Sequence, residues 1–171
     1  MYQTLKYIYE RLLDMLRIAE GKYAITIALA SGVIVFCSSF VSVQNLTTRV
    51  LAGGTIVFSL VSIIYGFVAL FARRIKVHTK KSPTDTDNLM FYKNISKFSA
   101  EDYIEQIKKA YKFPASYKPD GFDLDLAKTI IAQARVITLK FWYFNVSLFF
   151  LILAVLLAVV MILIIGGVLY V

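Results

Sequence analysis

The feature that most constrains this chain is its tail: from Phe141 to Val171 run thirty-one residues without one charged side chain. About eighteen consecutive apolar residues already mark a membrane-spanning helix, so this stretch predicts a span. At ~1.5 Å per residue it is roughly 46 Å long against a hydrocarbon core of about 30 Å, so it must tilt, protrude or begin within the interface. The run Phe141, Trp142, Tyr143, Phe144 suits the last of these, because aromatic rings favour the headgroup level. Arg135 and Lys140, just before it, are placed to reach lipid phosphates. No Pro or Gly falls between Asp123 and Ile165. The sequence therefore predicts one helix, capped by Asp123, that begins in water and ends in lipid.

Composition agrees. A chain 58% hydrophobic and only 18% charged, with mean hydropathy +0.68, is not an ordinary soluble domain. Its net charge of +8 is concentrated: residues 73–140 hold fourteen Lys/Arg and eight Asp/Glu. Beside a membrane such a patch reflects topology and anionic lipid, or a phosphate-bearing ligand. Catalysis has little to stand on. One His and one Cys stand apart, with no Ser-His-Asp or metal-ligand spacing, and Asp85 and Asp87 sit in a polar linker that reads as solvated. The spans contain no acid, which argues against a proton relay. Gly121 is the only glycine in residues 73–140, so a glycine-rich phosphate cradle and a β-roll cyclic-nucleotide domain are excluded. No enzyme, metal, cofactor or nucleic-acid partner is expected.

Residues 1–22 read as an amphipathic helix, with Leu5, Ile8, Leu12, Met15 or Leu16, and Ala19 on one side and Lys6, Glu10, Asp14 and Arg17 on the other. A charged stretch of this length before the apolar run is not a signal peptide. Residues 23–72 form a two-span hairpin, Tyr23 to Val43 and Val50 to Ala72, around a turn whose sole charge is Arg49. Lys22 and Arg73, Arg74, Lys76, Lys80 and Lys81 flank its opposite end, so the positive-inside rule puts the N-terminus and residues 73–140 in the cytoplasm. Residues 73–140 form a small basic helical module. It holds a polar linker, Val77 to Asp87, and an apolar side at Phe91 or Tyr92, Ile95 and Phe98. A helix capped by Ser99 follows, with Tyr103, Ile104, Ile107 and Tyr111 as its stripe. Residues 141–171 are the third span. The fold class is an all-α integral membrane protein.

Small residues at four-residue spacing let backbones approach: Gly32 with Ala28 and Ala24, Ser62 with Gly66, Ala154 with Ala158. They serve either packing within the chain or self-association. Asn145 is costly in lipid unless paired across helices, which marks it as an oligomer or pore position. In the module, Lys97 and Arg135 offer partners for a phosphate, and Tyr92 or Tyr103 a surface for a base to stack on. The same aromatics also suit the module's own core.

Three strings carry a family resemblance: A-E-G-K-Y-A at Ala19 to Ala24, N-L-M-F-Y-K-N-I-S-K-F-S-A-E-D-Y at Asn88 to Tyr103, and D-L-A-K-T-I-I-A-Q-A-R-V-I-T-L-K at Asp125 to Lys140. In this order, around a hairpin and before an apolar tail, they resemble the transmembrane effectors of Pycsar antiphage defence. The resemblance implies a homo-oligomeric protein of the bacterial inner membrane. It also implies activation by a cyclic pyrimidine mononucleotide, cCMP or cUMP, made by a partner pyrimidine cyclase, followed by loss of membrane integrity and abortive infection. The alternative is a non-enzymatic membrane scaffold or assembly subunit that docks a cytoplasmic partner protein.

Overall fold

The structure, a computed structural model, describes residues 1–71, 83–84, 87–114 and 116–169. The predicted linker around His78, the cations Arg73 to Lys81 and the end at Val171 lie outside them. Five helices follow one another: α1 (Tyr2–Ser38), α2 (Leu46–Phe71), α3 (Tyr92–Ile95), α4 (Ala100–Ala110) and α5 (Gly121–Leu169). No strand occurs among the described residues. Three of the helices, α1, α2 and α5, are long and apolar enough to cross a membrane. The chain divides into two units: a basic unit, Met1–Ala19 with Ala72–Phe141, and an apolar unit, Glu20–Phe71 with Trp142–Val171. Helices α1 and α5 contribute to both.

Helix boundaries differ from the sequence reading where local chemistry was ambiguous. The amphipathic segment and the first span are one helix, α1, which runs through Glu20-Gly21-Lys22 without a break. An interior Gly costs only about 1 kcal/mol relative to Ala, less than opening two helix ends with their orphan amides and carbonyls. This helix stops at Ser38, and residues 39–42 form turns, with the Phe40 and Val41 amides donating to the Cys37 and Ser38 carbonyls. Helix α2 begins at Leu46 rather than Val50, because the Asn45 side-chain oxygen accepts from the Thr47 amide at 2.9 Å and the Thr48 amide at 3.5 Å. Asp120, not Asp123, caps α5: its carboxylate accepts from the Asp123 amide at 2.7 Å. The Asp123 carboxylate instead accepts from the Tyr117 hydroxyl at 2.5 Å, which pushes that phenol's pKa up to about 12.

In the basic unit, α4 starts as expected, with the Ser99 hydroxyl accepting from the Asp102 amide at 3.1 Å. It ends in a turn where Lys112 takes the left-handed conformation at φ 53° and the Phe113 amide reaches back to the Lys108 carbonyl. The core combines Leu5, Ile8 and Leu12 of α1, Ile95 and Phe98, Tyr103, Ile104 and Ile107 of α4, and Ile130, Ile131 and Ile137 of α5. Tyr111, expected to complete the α4 stripe, lies at the helix end and is 42% exposed. Lys140, expected to reach headgroups, is fully buried, because the inward stripe of α5 continues from Ile137 to its position.

Candidate functional site

Helix α2 buries Thr48, Ala52, Thr55, Ser59, Ser62, Gly66 and Ala69, at strictly alternating spacings of four and three. That repeat is the seam of left-handed helix packing, and every residue on it is small or carries a hydroxyl. The bulky residues point outward: Val57, Leu60, Ile64, Phe67 and Phe71 are all exposed. Helix α5 presents the matching seam, Ser147, Leu151, Ala154, Ala158 and Met161.

The two seams are joined reciprocally. The Ser62 hydroxyl donates to the Ser147 carbonyl and the Ser147 hydroxyl to the Ser62 carbonyl, each at 2.8 Å, with the two hydroxyl oxygens 3.1 Å apart. Interhelical bonds of this kind average about 0.6 kcal/mol, so the pair is a weak latch rather than a strong clamp. Other hydroxyls are used locally: Thr26 and Thr55 donate to the carbonyls of Lys22 and Leu51, each at 2.9 Å. Ser59 is different. Its hydroxyl is fully buried and has no hydrogen-bond partner among the described residues.

The positions expected to serve assembly are thus used in different ways. Gly66 is required within the chain, since a Cβ there would sit 2.9 Å from Ile27 Cγ1 of α1. Ser62 is engaged with Ser147. Gly32 is open: a Cβ there would meet nothing within 4 Å, and the residue borders an apolar groove of about 420 Å³ with Ala28, Val155 and Val159. Asn145 is exposed on α5 and makes no side-chain hydrogen bond among the described residues. Aromatic rings gather toward its end of the unit. Tyr23 meets Phe144 edge-on at 5.8 Å, Tyr65 stacks on Phe150 at 6.0 Å, and the Lys22 ammonium lies 5.6 Å from the Phe144 ring. This resembles an interfacial belt, though of the run expected to form it only Trp142 is largely exposed, at 55%.

In the basic unit, the four residues singled out for a ligand do not line one cavity. Tyr103 is fully buried, its hydroxyl donates to the Leu89 carbonyl at 2.7 Å, and burial raises its pKa. It offers no face to a base. Tyr92 is half-buried against Phe141, ring to ring at 5.2 Å. The Lys97 ammonium lies 2.7 Å from the Asp87 carboxylate and holds that acid below the usual carboxylate range. Arg135 ties α5 to the turn after α3, donating to the Ser96 and Phe98 carbonyls at 3.2 and 3.3 Å. It also borders a cavity of about 320 Å³ that Lys128 shares, over a floor of Phe98, Ala100 and Ile131, with Glu101 at the rim. Sequence reasoning missed Lys128; its spacing of seven from Arg135 on one helix face was the available signal. A larger cavity of about 460 Å³ has Glu101, Glu105 and Asp120 against Lys108 alone, whose ammonium donates to the Tyr117 carbonyl, so it suits an anion poorly. No group of His, Cys, Asp and Glu able to hold a metal ion occurs among the described residues.

Comparison with known families shows that a family profile, PycTM, described as a Pycsar effector protein domain, matches residues 4–167. No curated protein and no solved structure matches the chain.

Proposed function

Because the chain belongs to the Pycsar effector family, which implies an antiphage effector role, we propose that it is a ligand-activated effector that compromises the bacterial inner membrane during abortive infection. The observation that carries this reading is the inverted helix α2 of the apolar unit, whose bulky side chains face outward while hydroxyls and small residues face inward. Three candidate spans of this kind fit a multi-pass membrane protein. The family is one of effector membrane proteins, not a known enzyme class.

The trigger is a cyclic pyrimidine mononucleotide, cCMP or cUMP, made by a partner cyclase. The cavity between Arg135 and Lys128 is the site best suited to its phosphate, and its volume lies at the low end of the 300–1,000 Å³ typical of small-ligand sites, a fit to a mononucleotide. Tyr92 and Lys97 do not line that cavity. The N-terminus and the basic unit lie in the cytoplasm, with Gln44 outside. Copies assemble through the spans, where exposed Asn145 finds the partner it lacks among the described residues and Gly32 admits a close neighbour. A shift from mostly closed to mostly open needs about 5.5 kcal/mol of differential affinity, more than one small site supplies, so several sites act together. The unbroken α5 carries the signal between the units.

The test is release of a trapped dye from liposomes holding the full chain. Addition of cCMP or cUMP opens them, Asn145→Leu weakens the response, and Arg135→Ala raises the required nucleotide about ten-fold or more. Liposomes that stay sealed with both nucleotides contradict the proposed trigger.

A further inference from the structure

The buried stripe of α2 together with its partner Ser147 comprises eight residues, of which Thr48, Thr55, Ser59, Ser62 and Ser147 carry hydroxyls. A span packed only for stability in lipid has no need of five, since small apolar residues allow the same approach of backbones. Ser59 is the telling member. Its hydroxyl is fully buried and unpartnered among the described residues, a few residues from a Ser62–Ser147 pair whose bonds are interhelical. An orphaned hydroxyl in an apolar interior is unfavourable, and water relieves it, because one water forms two to four hydrogen bonds. Water also replaces the Ser62–Ser147 bonds nearly one for one. The dry seam therefore leaves the Ser59 hydroxyl unsatisfied, and a wet one satisfies it while keeping the others bonded. The outward residues Val57, Leu60, Ile64 and Phe67 have the opposite preference.

We propose that the α2 stripe from Thr48 to Ala69 is the water-facing wall of the disrupted state. Parting α2 from α5 breaks the reciprocal serine pair, hydrates Ser59 and turns the hydroxyls toward a path shared among copies of the chain. The inference rests on the reading of the protein as a membrane-disrupting effector, and it makes the disruption a passage through protein rather than a disordering of lipid. Residues 50–71 and 141–169 carry no charge, so the wall discriminates little between cations and anions.

The full chain in liposomes tests this in two ways. Ser62→Asp places a carboxylate that demands water in the seam; with no nucleotide present, vesicles holding this variant should lose trapped K⁺ and Cl⁻ about ten-fold or more faster than wild type. An inserted Ser62→Asp chain as tight as wild type overturns the proposal. In a Cys37→Ala background, Ser59→Cys should react with a membrane-impermeant thiol reagent about ten-fold or more faster in leaking vesicles, whether the leak comes from Ser62→Asp or from added cCMP or cUMP. Leaking vesicles whose Ser59→Cys stays protected also overturn it. Wild-type vesicles sealed to both nucleotides would remove the proposed trigger, while the Ser62→Asp arm still decides the wall.

Discussion

The basic unit buries mostly large apolar residues, whereas the apolar unit buries many small and hydroxyl residues beside Tyr23, Leu151 and Met161. The first hides Leu5, Ile8, Ile107, Ile130 and Ile137 and shows water its charges; the second hides Ala30, Ala52, Ser59, Ser62 and Ala154 and shows Ile25, Leu60, Ile64 and Leu163. Both have helices with seams at three-to-four spacing, so helical geometry does not explain the inversion. The solvent does. In water, burying apolar area drives packing at about 25 cal/mol per Å². In lipid that drive is absent, because the acyl chains are as apolar as the side chains, and close approach with hydrogen bonds across the interface takes over. The same helix, α5, obeys the first rule at Ile130 and Ile137 and the second at Ser147, Ala154 and Ala158.

That comparison can be broken at several points. The largest effect is expected from the aqueous core: Ile130→Ala should destabilise by about 2–5 kcal/mol, while Ile64→Ala, at an exposed position of α2, should change thermal unfolding in micelles by well under half of that. Equal losses at both sites would erase the distinction between the units. Next is Gly66→Val, which drives a side chain into Ile27 and should cost about 1–3 kcal/mol. Unchanged stability would mean that α1 and α2 do not pack as described. A double-mutant cycle on Ser62→Ala and Ser147→Ala should return a coupling of about 0.6–1.7 kcal/mol, and zero coupling would deny the latch.

The smallest effect is one of pH and belongs to the basic unit alone. Lys97 holds Asp87 below its ordinary range in the folded state, so the pair adds stability above the unfolded carboxylate pKa of about 3.9. That stability is lost as pH falls through the lower, folded value. Acid unfolding of the wild type should therefore be steeper at low pH than that of Lys97→Met, and identical profiles would show the pair to be idle.

Much of this was legible in the sequence. Charge-free runs identify the spans because nothing else tolerates thirty-one uncharged residues, and the stripes Leu5-Ile8-Leu12 and Tyr103-Ile104-Ile107 identify the basic unit's core. Small-residue spacing pointed to Ser62 and Gly66. Their partners were not legible: Ser147 lies 85 residues away, and no local pattern records which helix face it meets. Local punctuation also misled. Residues 1–22 and the first span read as separate helices although α1 joins them, and Asp123 read as the α5 cap although Asp120 takes that role while the Tyr117 hydroxyl claims the Asp123 carboxylate. Tyr103 shows the limit for the ligand site, because an aromatic in a small module satisfies stacking and core packing equally well until its burial is known.

The central claim, that the apolar unit is inverted for lipid, is tested most directly by placing a nitroxide at each position from Val57 to Phe67 in the full chain in nanodiscs and measuring collision with dissolved oxygen. The account predicts an oscillation of helical period, with high accessibility at Val57, Leu60, Ile64 and Phe67 and low accessibility at Ser59, Ser62 and Gly66. A flat profile, or one with its maxima at the serines, would contradict it.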